Sequence, residues 1–142
     1  MAKWAEPSEE TVSEFQKVLI ATGLDNFINT KIIVNDDQKK RVIVPKKMTA
    51  EIAFAFDYQL AIIINEEIFD QLPPLQKRLC IEEALSGTYY DTEGDKLVVG
   101  QPDVKTFHGF LDKHGYEQFE ILEKSIKSLY DAQKNAAVVN EL

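Results

Sequence analysis

The chain has a single cysteine, Cys80, among its 142 residues, so it can form neither an internal disulfide nor a cysteine-based zinc centre. A reducing compartment suits such a chain. Long apolar runs are also missing: the richest one, Leu60 to Ile64, is far shorter than the roughly 20 residues that cross a bilayer. Met1 to Glu14 carries one lysine followed mostly by acidic residues, the reverse of the basic and apolar regions of a signal peptide. The expected location is therefore the cytoplasm, with no membrane association. An excess of positive charge is absent as well. Sixteen Lys and Arg stand against 24 Asp and Glu, and the net charge of -8 repels phosphate backbones and anionic lipid. Direct nucleic-acid binding is thereby disfavoured. The dense acidic runs of a DNA mimic are lacking too, since Glu117, Glu120 and Glu123 alternate with Lys124 and Lys127. No glycine-rich phosphate loop, Gly-x-Ser-x-Gly turn or Ser/His/Asp arrangement occurs, and no repeat, low-complexity tract or linker divides the chain.

What is present suffices for one folded unit: 44% of the residues are hydrophobic, enough for a core without disulfide or metal support. Residues 1–134 are expected to form a single α+β domain, a small, mostly antiparallel sheet packed with helices, and Asn135 to Leu142 to fray. Ser8 before Glu9 and Glu10 signals a capped helix start, and Gly23 a stop after Thr22. Lys31 to Asn35 and Lys40 to Val44 are β-branched runs around a polar connection, which predicts an antiparallel hairpin ended by Pro45. Thr49 is a cap for a short helix through Phe56, with Ile52, Ala53 and Phe56 on its buried side. Gln59 to Ile64 reads as the central strand, and Ile63 within it as buried. Asn65 then caps a short helix from Glu66 to Leu72, and Pro74 suits the first turn of a helix that stops at Gly87. Thr88 to Tyr90 and Lys96 to Val99 form a small hairpin. Asp103 opens a helix ended by Gly115, and Tyr116 to Gln133 makes a long final helix buried along Phe119, Leu122, Ile126 and Leu129.

The helix Leu75 to Gly87 is apolar nearly all round, which places it centrally and holds Glu82 and Glu83 close to the core. Carboxylates there need hydrogen bonds, a cation or a proton. The other reactive side chains are isolated. Cys80 has no neighbouring histidine and reads as a small buried hydrophobe. His108 and His114 are six apart and point in different directions from their helix, and His114 suits the negative end of that helix. Asp91 to Asp95 lacks the spacing of a calcium loop and reads as a polar turn.

The order Ala61 to Asn65, Glu66 to Leu72, Leu75 to Gly87, Asp91 to Gly94 and Pro102 to Phe107 resembles the phage metallopeptidases, small zincin-like proteins. In them a strand and a short helix lead into a His-Glu-x-x-His helix, and a further histidine precedes an Asp-Val-x-x-Phe helix. The resemblance spans Ile32 to Gly115. It implies a zincin-like layout and a bacteriophage origin, with the general base at Glu83, the helix histidines at Glu82 and Ser86, and the downstream histidine at Pro102. None of those three ligand positions holds a histidine, whereas zincin chemistry needs two imidazoles one turn apart, a third ligand and an activated water. The expectation is a pseudo-metallopeptidase with no catalytic residues, no cofactor and no metal, acting through another protein, host or phage. The exposed face of the final helix and the acidic segment around Trp4 are the expected contact surfaces, with packing of Trp4 on its own domain the alternative. Two alternatives stand beside it: a hydrolase with an unorthodox metal site built from Glu82, Glu83 and Asp91 or His108, and an acidic inhibitor of a host nucleic-acid-binding or defence protein.

Overall fold

Three of the expected helix starts are realised through side-chain capping. In a computed structural model describing residues 4–38, 41–100 and 108–141, α1 covers Glu9–Thr22. The Ser8 side chain accepts from the Thr11 amide, and Gly23 closes the helix with φ 78°, the left-handed conformation that glycine adopts without strain. A single 3-10 turn, Leu24–Asn26, follows. The other elements are β1 (Thr30–Val34), β2 (Ile43–Lys47), α2 (Ala50–Phe56), β3 (Leu60–Ile64), α3 (Glu66–Phe69), α4 (Pro74–Leu85), β4 (Thr88–Asp91), β5 (Lys96–Val99) and α5 (His108–Glu141). Thr49 and Asn65 cap α2 and α3, and Pro74 lies in the first turn of α4. The side chains at 108–113, 116 and 135–141 lie outside the described residues.

The architecture is α+β, with one three-stranded and one two-stranded sheet. β3 is the central strand, but the expected β1–β2 hairpin does not form. β3 pairs with β1 in parallel (Ile32 opposite Ile62) and with β2 antiparallel (Pro45 opposite Ile62). The connection between β1 and β2 is drawn elsewhere. The Asn65 side chain donates to the carbonyls of Asp36 (3.3 Å) and Gln38 (2.9 Å), and the Asp36 carboxylate accepts from the Glu67 amide. These bonds fold residues 36–38 over the start of α3 and leave room for β3 to enter between the two strands. Pro45 therefore lies inside β2 rather than after it, as an edge strand permits for a residue without an N–H. On the outer edge of β1, Ala5 pairs with Val34.

The core gathers Phe15 of α1, Leu60, Ile62 and Ile64 of β3, Ile68 and Phe69 of α3 and Ile81 of α4, all essentially fully buried. Ile63, expected to be buried, is only half-buried, because its side of the sheet is less completely covered than the side bearing Ile62 and Ile64. α4 packs against α1, β2 and α5 and buries Leu79, Cys80, Ile81, Ala84 and Leu85; the helix is central as read, although Leu75 at its start is exposed. The larger departure is α2. None of its residues is buried: Ile52, Phe54 and Phe56 are 43%, 92% and 68% exposed.

α5 has helical backbone on both sides of Gly115, whose φ of 83° and ψ of 160° break it where a stop was expected. Asp103, the expected cap, lies outside the described residues. The final segment buries Phe119 and Leu122 and half-buries Ile126 and Leu129, the expected stripe, and its helical backbone runs on to Glu141. Tyr130 on this segment donates its hydroxyl to the Gln38 carbonyl at 3.0 Å. Burial pushes its phenol up from 10.0 to about 12. A folded-state value above the unfolded one means that its contribution to stability is complete below pH 10 and is lost as pH rises through 12. Tyr130→Phe should therefore flatten the fall in urea midpoint across that alkaline window; an unchanged slope would show that Tyr130 does not carry the effect.

Candidate functional site

α4 presents Glu82 and Glu83 side by side, each with a side chain about 15% exposed, as its central position predicts. Adjacent residues on a helix diverge by about 100°, so the two carboxylates leave α4 on different sides. Glu83 faces a groove of about 150 Å³ lined by Val42, Phe119 and Leu122, where its Oε1 takes a bond from Arg41 Nη2 at 3.2 Å. Glu82 faces another cleft. Its Oε1 meets Arg78 Nε one turn earlier at 3.4 Å, and its Oε2 meets His114 Nε2 at 2.5 Å. His114 sits immediately before the break at Gly115 and reaches across to α4, rather than serving the end of its own helix.

This geometry separates the residues that the zincin layout groups together. The Ser86 hydroxyl turns back to donate to the Glu82 carbonyl at 2.7 Å. Asp91, offered as a third ligand, instead closes its own turn by accepting from the amides of Glu93 and Gly94. Pro102 and the side chain of His108 lie outside the described residues. Among the described residues no three His, Cys, Asp or Glu side chains converge as a metal site would require. Each glutamate is held by a guanidinium, whose charge opposes a divalent cation at the same oxygens. Cys80 is buried, and burial pushes its thiol far above its ordinary value, which keeps it protonated.

The cleft at Glu82 has a volume of about 440 Å³ and runs between the end of α1, the end of α4 and β4. Its far wall is the ring of Phe27 stacked on Tyr90, with centroids 4.7 Å apart and planes 4° from parallel. The Tyr90 hydroxyl bonds the Asp95 carboxylate, which fixes the ring from behind. Phe27 and Tyr90 also line a second cleft, of about 580 Å³, whose other walls include Ala50 and Ala53 of α2. That cleft continues through Asp25, Asn29 and Asp57 into a shallow groove, of about 450 Å³, bordered by Phe56 and Tyr58. The aromatic stack thus separates the cleft at Glu82 from the second cleft, which with the adjoining groove makes a trough beside α2.

No protein-family model, no curated protein and no solved structure matches this chain. What the site can do rests on its own chemistry, which is that of a surface: exposed rings, scattered carboxylates and shallow, connected clefts. Sequence reasoning did not single out Phe27, Phe54 or Tyr90, and it placed Ile52 and Phe56 on a buried side of α2, whereas both are exposed. For α2 a signal was available, because a seven-residue helix with Phe at 54 and 56 points those rings some 200° apart and cannot bury both on one face. For Phe27 and Tyr90 there was none; they meet only through the fold.

Proposed function

We propose that this chain is a non-enzymatic binding protein that docks another protein through the surface formed by α2 and the adjoining trough. The observation that carries the reading is α2 itself: a capped helix inserted between β2 and β3 that buries no residue and holds Phe54 92% exposed. Holding large rings in water forgoes the burial that makes aromatic residues stabilising, about 25 cal/mol per Å² of apolar area. Large exposed apolar side chains gathered on one short helix are the chemistry of a contact surface. The pairing of Glu82 and Glu83 with arginines supports the same reading, since it leaves the carboxylates engaged in the domain's own packing.

The test is a double substitution, Phe54→Ser with Phe56→Ser. Neither ring is buried, so stability should change by no more than about 0.5 kcal/mol, whereas recovery of the bound protein partner from lysate of the producing cell should fall more than about tenfold, as when an aromatic anchor is removed. A partner retained at full yield by the double variant would remove α2 from the interface and overturn the proposal.

A further inference from the structure

The trough beside α2 has an electrostatic character that narrows the kind of partner it fits. Asp25 and Asp57 both line the stretch shared by the second cleft and the groove beyond it, and among the described residues neither carboxylate forms an ion pair with a Lys, Arg or His. Phe27 lines the same cleft. Tyr90 covers one face of its ring, yet Phe27 remains 51% exposed, which leaves the other face open. An open aromatic face beside unpaired carboxylates is complementary to a planar cation: the ring quadrupole attracts the charge, and the carboxylates take its N–H groups. Arginine satisfies both better than lysine, because its guanidinium is flat, stacks and is more weakly hydrated. Lys47 and Lys96 line the same cleft and oppose a uniformly polycationic strand, so the fitting segment carries isolated arginines between small residues.

We propose, resting on the protein-binding reading above, that the trough receives an arginine-bearing basic segment of the partner, with a guanidinium laid on the open face of Phe27 within reach of Asp25 and Asp57. The net charge of -8 steers such a segment to this chain from a distance. Proteins that themselves bind nucleic acid expose segments of this chemistry.

The experiment uses the full chain and a fluorescein-labelled Gly/Ser-rich peptide with an Arg-Gly-Arg centre, alongside its lysine counterpart, read by fluorescence anisotropy. The arginine peptide should bind severalfold more tightly than the lysine peptide. Phe27→Ala should weaken it about fivefold, and Asp25→Asn with Asp57→Asn by about tenfold together. Asparagine suits position 57, where φ is 58°. Removing the same amount of charge from the outer face of α5, by Glu117→Gln with Glu120→Gln, should leave the affinity unchanged within about twofold. Equal binding of the two peptides, equal losses from the trough and α5 variants, or no binding at all would each overturn the inference. If neither peptide binds while the cellular partner is still lost on Phe54→Ser with Phe56→Ser, the protein-binding reading stands and the arginine-bearing partner falls. If the peptides behave as stated but the partner survives that double variant, the trough is the site and α2 is not.

Discussion

Ile62→Ala should lower the free energy of unfolding by about 3 kcal/mol, a large part of the 5–15 kcal/mol that holds a typical domain together. Ile62 is fully buried at the centre of β3, with Ile32 of β1 opposite on one side and Pro45 of β2 on the other. Helices close off its face of the sheet, so the truncated side chain would leave a cavity that central backbone cannot collapse to fill. Ile63→Ala removes the same atoms from a half-buried position and should cost roughly 1 kcal/mol. Urea denaturation of the two variants compares them directly. Successive residues of a strand face opposite sides, so a larger loss from Ile63 than from Ile62 would mean that β3 is registered one residue away from the pairing described.

Asn65→Ala should be about as damaging, on the order of 3 kcal/mol, although it removes no apolar packing. Asn65 is fully buried, and its side chain makes three bonds: two donated to the carbonyls of Asp36 and Gln38, and one accepted from the Ile68 amide at the start of α3. Alanine leaves all three partners without it in a place water reaches poorly. Asn65→Asp separates the contributions. The cap on Ile68 survives, but a carboxylate oxygen replaces the amide nitrogen against two carbonyl oxygens, so the variant should be at least as unstable as alanine at neutral pH and recover in acid, where the protonated group can donate. Asn65→Asp with wild-type stability at neutral pH would show that the amide nitrogen is not what holds residues 36–38.

Local chemistry was legible in the sequence, and long-range pairing was not. Ser8, Thr49 and Asn65 cap helix starts through their side chains, Pro74 fits the first turn of α4 and Gly23 closes α1 through its backbone, because each role involves atoms only a few residues apart. The strand Leu60–Ile64 announced its central place by composition. The β1–β2 hairpin was misread because two adjacent β-branched runs look alike whether they pair with each other or with a third strand; the bonds from Asn65 that decide between these lie 27 and 29 residues away. At the candidate site, the sheltered placement of Glu82 and Glu83 followed from their helix. The meeting of Glu82 with His114, across 32 residues, depended on how the break at Gly115 aims the imidazole. Spacing along a chain carries no information of that kind.

The strand order β1-β3-β2 also dictates a sequence of events during synthesis. Both neighbours of β3 precede it, so as the chain leaves the ribosome residues 30–34 and 43–47 emerge before the strand that lies between them. At about 5–20 residues per second, that interval is ample for a hairpin, which forms in microseconds. The nascent chain thus has time to join the two runs to each other, in the pairing that their sequences suggest and the finished sheet does not contain. Any such pairing would have to open to admit β3 before the native sheet could form, and slower refolding than that of a variant whose β1–β2 pairing is disfavoured would reveal it. The buried amide of Asn65, which follows β3 immediately, favours the native pairing by holding residues 36–38 over the start of α3.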